Sequence, residues 1–223
     1  MDLEILYQDP YVAVAVKPAG VLSEPDGKGG GMPELLAAQL GGEIFTVHRL
    51  DRAVGGVMLF SRDRAVTGRL TAAVAERKLH KEYLAVLTGV PQEPEGVLED
   101  LLFRDAAKNK SYVVKRPRKG VRDARLRYQL LQTVPDGDGA LSLVQVQLET
   151  GRTHQIRVQF ASRKLPLLGD GRYGSRDRRC EVALFSRAVG FDHPVTGQAL
   201  CLSARPPKEF PWNLFDEQLY DLT

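Results

Sequence analysis

The sequence predicts a mixed α+β fold with a largely antiparallel central sheet, flanked by helices and loops. Apolar runs of strand length far outnumber stretches with helical periodicity. Many of these runs are separated by short turns rich in Gly, Pro and Asp, such as "PDGDG" at 135–139. Helices do not alternate regularly with strands, as they would in a parallel sheet built from βαβ units.

The first third of the chain supplies four predicted strands and two helices. "LEILYQD" and "YVAVAVK" are strand-like, and "MPELLAAQL" has a proline at the start of a short helix. "EIFTVH" and "GGVMLFS" predict strands on either side of the polar stretch "VHRLDRAVGG", residues 47–56. In "RDRAVTGRLTAAVAERK", Val66, Leu70 and Val74 recur every fourth position, which predicts an amphipathic helix.

The remainder is dominated by strands. "KEYLAVLTG", "GVLEDLLFRD", "KSYVV", "ARLRYQLLQTV" and "ALSLVQVQL" are predicted strands, and "GRTHQIRVQFAS" resumes a helical period with Ile156 and Phe160 on one face. "KLPLLGDGRYG" predicts a loop, "QALCLSA" a last strand and "KEFPWNLF" a short terminal helix. Because neither repeats nor a clear linker interrupt the pattern, we expect one domain over residues 1–223.

Composition narrows the class of protein. With 43% hydrophobic and 26% charged residues, the chain is typical of a globular protein, and no apolar run reaches transmembrane length. The acidic N-terminus "MDLEILYQD" does not resemble a secretory signal. Cys180 and Cys201 predict no disulfide framework, and the four histidines lack metal-binding spacing. We therefore expect a cytoplasmic protein without a metal site.

Positive charge is concentrated in two segments. The first is accompanied by only Asp105 and Asp123 and contains ten cations: Arg104, Lys108, Lys110, Lys115, Arg116, Arg118, Lys119, Arg122, Arg125 and Arg127. The second is "RYGSRDRR", residues 172–179. A solvated face would look the same, but this density also attracts a phosphate backbone. The sequence therefore indicates a polyanionic partner.

The stretch "VHRLDRAVGG" carries the first candidate for chemistry. Asp51 lies between Arg49 and Arg52, whose guanidinium groups would favour the ionised carboxylate, and such a carboxylate is a suitable nucleophile. Gly55 and Gly56 would allow a ligand to approach the backbone closely. The alternative is that Asp51 is simply a turn residue.

Two further polar clusters lie at the ends of predicted elements. Tyr83, in "HKEYLAVL", either packs in the core or offers a flat ring on which a base could stack. "TGRTHQIR", residues 150–157, places Arg152 where it could pair with a carboxylate. The alternative for this segment is a solvated helix start, with Arg157 in a surface ion pair. Glycine-rich nucleotide loops and a nucleophile elbow are lacking from the sequence.

Taken together, these motifs resemble the RluA-type pseudouridine synthases, enzymes that isomerise uridine in ribosomal or transfer RNA. "VHRLDRAVGGVMLFSRD" is similar to the family's signature around its catalytic aspartate. "KPAGV", "KEYLAVLTG", "ETGRTHQIRVQFAS", "LLGDGRYG" and "GFDHPVTGQAL" occur in the family's order, from about Val12 to Leu202. The resemblance implies the pseudouridine synthase catalytic fold, without the separate N-terminal RNA-binding domain that some relatives carry.

The resemblance also implies roles for individual residues. Asp51 would be the catalytic aspartate, Tyr83 the tyrosine that packs against the target base, and Arg152 the basic partner of Asp51. Arg49 would enter the RNA where the base leaves. Two apolar neighbours of the flipped nucleotide would be Leu22 and Ile156.

The implied partner is structured RNA, with neither cofactor nor metal, and we expect a monomer. The chain departs from the family pattern at Val54-Gly55, Gln159, Leu165 and Phe185, which bears on RNA contacts more than on chemistry. Two alternatives stay open at this point: an RNA-binding or chaperone module of the same fold without catalysis, and an unrelated hydrolase with Asp51 as nucleophile.

Overall fold

A computed structural model describes residues 2–221, which contain eleven strands and three α-helices. The strands are β1 (Ile5–Gln8), β2 (Val12–Lys17), β3 (Phe45–Thr46), β4 (Gly55–Ser61), β5 (His80–Thr88), β6 (Glu95–Asp105), β7 (Lys110–Val114), β8 (Val121–Asp136), β9 (Gly139–Leu148), β10 (Leu184–Asp192) and β11 (Ala199–Ser203). The helices are α1 (Met32–Leu40), α2 (Arg64–Ala75) and α3 (Gln155–Ser162). These elements confirm the predicted mixed α+β class.

The described residues form two compact units. The first comprises residues 2–81 and 185–206, and the second comprises residues 82–184 and 207–221.

In the first unit, β4 is the central strand. It pairs antiparallel with β2 and β3 and parallel with β10, while β1 extends β2 and β11 extends β10, both antiparallel. Every residue of β4 is buried, which explains its almost continuous apolar sequence "GGVMLFS". Helix α2 starts where the Asp63 carboxylate accepts a hydrogen bond from Ala65 N and buries Val66 and Leu70, as the four-residue spacing predicts.

In the second unit, β5, β9, β8, β6 and β7 pair antiparallel in that order. The "PDGDG" turn closes the β8–β9 hairpin, with Asp136 opposite Gly139. Helix α3 begins at Gln155, later than the helical pattern in the sequence, because His154 adopts a left-handed backbone conformation (φ 55°) that a helix cannot include.

Two predictions differ from the structure. The residues of β10 were not predicted as a strand, since Ser186 and Arg187 interrupt its apolar pattern although both are buried. The predicted terminal helix "KEFPWNLF" is replaced by short 3-10 turns, which include Trp212–Leu214. A proline lies directly before this turn, where it cannot donate to a preceding helical turn.

Candidate active-site loop and RNA-binding surface

The loop that carries Asp51 connects β3 with β4 and is held from both sides. Val54 N donates to the Asp51 carbonyl at 2.9 Å, which closes a tight turn. Leu50 is buried, its N–H donates to Ser23 Oγ at 3.0 Å, and the Ser23 hydroxyl donates to the Leu50 carbonyl at 2.8 Å. These contacts fix the backbone on both sides of a half-buried Asp51.

A buried lysine supplies positive charge to this loop. Lys17, at the end of β2, is fully buried, and its Nζ donates to the carbonyls of Pro18 (2.9 Å), Val21 (2.7 Å) and Arg52 (3.1 Å). Burial lowers the pKa of Lys17 from 10.5 to about 8; the Asp51 charge acts in the opposite direction and the Arg52 charge in the same direction. The charge of Asp51 therefore favours the protonated form of Lys17.

The motif "KPAGV" predicts no role for Lys17. The available signal is a lysine that ends the otherwise apolar strand "VAVAVK" directly before a proline. A buried lysine needs hydrogen-bond acceptors, and a turn that leaves a strand end can offer carbonyls to it.

The two arginines beside Asp51 have other partners in this unit. Arg49 NH1 lies 2.8 Å from Glu24 Oε2, and both side chains are more than half exposed. Arg52 Nε donates to the Gly20 carbonyl at 2.8 Å. The sequence predicts that Arg49 and Arg52 supply the positive charge near Asp51. In the structure, Lys17 supplies part of this charge.

Neighbouring strands approach both glycines after the loop, and one of the two positions has no room for a Cβ. Gly56 has φ +118°, and a Cβ there would overlap the backbone of Ser186 on β10. A Cβ on Gly55 would lie 3.2 Å from the Lys17 carbonyl and 3.7 Å from the Phe185 ring. The close backbone approach attributed to a ligand from the sequence is therefore made by protein strands.

The histidine of the same motif has a structural role. His48 is buried, and its Nε2 accepts a hydrogen bond from Leu59 N at 3.1 Å. Burial, assisted by the positive charge of Lys81, lowers the pKa of His48 to about 3. A histidine that stays neutral at pH 7 and accepts a backbone hydrogen bond stabilises the loop and is a poor proton donor.

Tyr83, Arg152 and Ile156 belong to the second unit. Tyr83 lies on β5 opposite Val146 of β9 and is 6% exposed. Arg152 is half-buried, with its Nε donating to the Asp123 carbonyl at 2.9 Å and its N–H to Gln155 Oε1 at 3.0 Å. Ile156 is buried in the first turn of α3. Leu22, the other apolar residue predicted to lie beside the flipped nucleotide, belongs to the first unit, directly precedes Ser23 in sequence and is exposed.

Arg157 forms a buried ion pair, so the alternative that the sequence suggested, a surface ion pair, is wrong. It is 5% exposed, and its Nε and NH2 donate to the two carboxylate oxygens of the fully buried Asp170 at 2.7 and 2.8 Å. Its guanidinium also lies 5.2 Å from the centre of the Tyr173 ring. The pair joins the motifs "TGRTHQIR" and "LLGDGRYG", so it organises this part of the second unit.

One departure from the family pattern is accommodated inside the protein. Gln159 is fully buried, and its Nε2 donates to the Leu98 carbonyl at 3.1 Å and to Asp100 Oδ2 at 2.8 Å. Its carboxamide therefore links α3 to β6.

The basic segment, residues 104–127, runs from the end of β6 through β7 and the β7–β8 loop into β8. Arg125 and Arg127 form ion pairs with Glu149, and Arg118 lies 4.6 Å from the centre of the Phe103 ring. The loop residues 115–120 are all exposed. We call residues 115–122, with sequence "KRPRKGVR", the basic loop; it presents five cations without a carboxylate in the same stretch.

Residues 2–221 contain neither a candidate metal site nor a candidate membrane-spanning helix. Their His, Cys, Asp and Glu side chains include no cluster of three or more suited to a metal ion. None of the helices in the same range is sufficiently long and apolar to cross a bilayer.

Comparison with known proteins decides the family. A family model described as RNA pseudouridylate synthase matches residues 11–162. The chain belongs to this family. Its activity is therefore that of an RNA pseudouridine synthase, an isomerase that acts on RNA. This result confirms the resemblance to the RluA-type enzymes and decides against the hydrolase hypothesis.

Individual relatives in the pseudouridine synthase family show the same relationship over most of their length. Ribosomal large subunit pseudouridine synthase D of Xanthomonas campestris is 31% identical over 94% of this chain and 67% of its own. tRNA pseudouridine synthase C of Yersinia pestis is 31% identical over 94% of this chain and 88% of its own. The fold is shared with human RNA pseudouridylate synthase domain containing 1, at a TM-score of 0.79 and 22% identity over 94% of this chain and 85% of that one.

Proposed function

We propose that Asp51 is the catalytic aspartate and that the enzyme isomerises one specific uridine of ribosomal or transfer RNA after flipping it out of its stack. The observation that carries this proposal is the setting of Asp51. It is a half-buried carboxylate on a backbone clamped by Ser23, and it interacts with the buried ammonium of Lys17. A carboxylate in a fixed position is what attack on a ribose, or removal of its proton, requires.

Base flipping follows from the geometry of RNA. A stacked uridine cannot present its glycosidic carbon to a carboxylate, so the nucleotide must leave the stack at a cost of a few kcal/mol. Arg49 is proposed to occupy the space that the flipped base leaves in the RNA stack. Its side chain is more than half exposed, so it can move. Tyr83 is proposed to stack on the uracil and offset part of that cost.

The remaining roles are assigned by position. Arg152 is proposed to be the basic partner of Asp51, and Leu22 and Ile156 apolar neighbours of the flipped nucleotide. The carboxylate acts at the ribose while uracil detaches, rotates and rejoins through its carbon 5. None of these steps requires a metal, nucleotide or redox cofactor, so we propose that the enzyme works without one. The two units together are proposed to form one catalytic domain over residues 1–223.

The substrate class is proposed from charge and from the relatives. The basic loop is proposed to bind RNA phosphates, so affinity should fall steeply with salt. One relative is named for ribosomal RNA and another for transfer RNA, and either RNA fits this surface. We propose a cytoplasmic monomer as the acting form.

The test compares Asp51→Asn with Asp138→Asn, which changes an exposed aspartate in the β8–β9 turn. Both are assayed for tritium release from 5-tritiated uridine in bulk RNA of cells that lack this gene, and for RNA binding. We expect Asp51→Asn to bind RNA and release no tritium, while Asp138→Asn retains parental rates. An Asp51→Asn enzyme as active as the parent removes Asp51 from the mechanism. Absence of release by the parent itself on all RNAs favours the RNA-binding module instead.

A further inference from the structure

The ion pair between Glu24 and Arg49 lies on a rigid frame. Its N–O distance is 2.8 Å, and the two side chains are 54% and 55% exposed. The residues adjacent to the pair, Ser23 and Leu50, are buried and hydrogen-bonded to each other through both the Leu50 N–H and carbonyl. The Glu24 and Arg49 side chains can therefore separate without movement of the backbone that carries them.

The other carboxylates near Glu24 in sequence serve the loop itself. Asp26 Oδ1 accepts hydrogen bonds from Lys28 N at 2.7 Å and Gly30 N at 3.0 Å. Glu34 Oε1 accepts from Asp26 N at 3.1 Å. These contacts shape the glycine-rich connection between β2 and α1. Among the described residues of this connection, only the Glu24 carboxylate forms an ion pair with a cation.

An ion pair of this kind can be broken by a competing partner. Exposed pairs contribute little to stability because water and salt screen them. A guanidinium that reaches RNA gains charge-assisted hydrogen bonds to phosphate and stacking on bases. While Glu24 holds Arg49, the guanidinium is withheld from any RNA that offers it no better partner than this carboxylate.

We propose that Glu24 is a specificity-determining positioning residue that retains Arg49 until a target RNA offers the space left by the flipped base. The proposal rests on the function proposed for Arg49. In complexes with non-target RNA, Arg49 stays on Glu24 and contributes nothing. In complexes with target RNA, insertion of Arg49 outcompetes the ion pair. Discrimination then comes from a favourable contact of Arg49 that only the target RNA obtains.

The test uses Glu24→Gln, which keeps the shape of the side chain and removes its charge. The matched control is Glu76→Gln, because Glu76 is an exposed carboxylate that pairs with Lys78 at 2.7 Å. Binding is measured with a fluorescently labelled oligo(A) of 20 nucleotides, which contains no uridine to flip. Turnover is measured by tritium release from bulk RNA of cells that lack this gene.

We expect Glu24→Gln to bind oligo(A) about three- to fivefold more tightly, as removal of an exposed ion pair allows. The logarithmic salt slope should become steeper by about 0.7, the value for one added contact to a single strand. On the tritiated RNA, KM should fall while kcat stays within about twofold. Glu76→Gln should leave the oligo(A) affinity, the salt slope, KM and kcat at parental values, and Arg49→Ala should abolish the effect of Glu24→Gln on oligo(A).

The outcomes separate two failures. If Glu24→Gln equals Glu76→Gln, or if its effect persists in the presence of Arg49→Ala, Glu24 does not act through Arg49 and the proposal is overturned. If Arg49→Ala alone turns over RNA like the parent, the base-flipping role proposed for Arg49 fails, and the inference about Glu24 fails with it.

Discussion

Replacement of Lys17 by methionine tests the electrostatic setting of Asp51. Methionine keeps most of the apolar stem and removes the ammonium, so the Val21 carbonyl loses its donor. The carbonyls of Pro18 and Arg52 each lose one of two donors and keep the backbone N–H of Val21 (3.4 Å) and of Gly20 (2.8 Å), respectively. An unsatisfied buried acceptor costs about 1–3 kcal/mol, although relaxation of the turn reduces the sum. We expect Lys17→Met to be destabilised by about 2–4 kcal/mol at pH 7 and to lose most of its turnover.

The pH dependence gives this prediction a sign. The pKa of Lys17 is about 8 in the folded protein and 10.5 as its ordinary value, so between these limits the unfolded chain binds more protons than the folded one. The wild-type free energy of unfolding therefore gains about 1.4 kcal/mol per pH unit from this group, or about 3 kcal/mol over the whole interval. The cost of burying the charge is fully present below pH 8.

The assay is guanidinium denaturation of wild type and Lys17→Met at pH 7, 8, 9 and 10. Subtracting the two cancels groups that titrate in both proteins, so the difference in stability should be constant below pH 8 and widen above it. Lys28→Met, at an exposed lysine of the glycine-rich connection, should show no such widening. A difference that stays constant or narrows from pH 8 to 10 would refute the assignment of Lys17 as a buried ammonium whose pKa is lowered to about 8.

Three further changes test particular contacts. Asp170→Asn should cost about 3–5 kcal/mol in urea unfolding, because it leaves the charge of Arg157 buried without its partner; a loss below 1 kcal/mol would contradict the buried pair. Gly56→Ala should prevent stable folding, judged by circular dichroism, whereas Gly68→Ala, in open space on α2, should raise stability by up to about 1 kcal/mol. Tyr83→Phe should retain much of the RNA affinity and Tyr83→Ala should lose about tenfold or more; equal binding by the two would show that the ring does not stack.

The elements that the sequence predicted best are those whose pattern is local. Helix α1 coincides with "MPELLAAQL", and α2 with the spacing of Val66 and Leu70, because one side of each helix is buried and the other is not. The sequence does not predict strand β10, because Ser186 and Arg187 are polar residue types that are usually exposed, whereas here both are buried. The Ser186 hydroxyl donates to the Val57 carbonyl at 3.0 Å, a partner 129 residues away that no local pattern reveals.

The candidate site was predictable in its residue types and less so in its contacts. The motif around Asp51 predicts that the loop between β3 and β4 carries the candidate catalytic residue, and this stays a prediction. Adjacency to Arg49 and Arg52 suggested their pairing with Asp51, but consecutive side chains diverge, and the two arginines contact Glu24 and Gly20. The ion pair of Arg157 was placed at the surface because burial depends on Asp170, which lies beyond the end of α3.

The first unit shows why the loop that carries Asp51 depends on chain segments far from it in sequence. At the start of β4, Gly56 leaves room for the backbone of β10. On the other side, β2 ends in Lys17, whose buried ammonium donates to three carbonyls. One of those carbonyls belongs to Arg52, directly after Asp51. Any change that moves the loop therefore also removes an acceptor from Lys17, so the position of the carboxylate and the charge beside it are expected to be lost together.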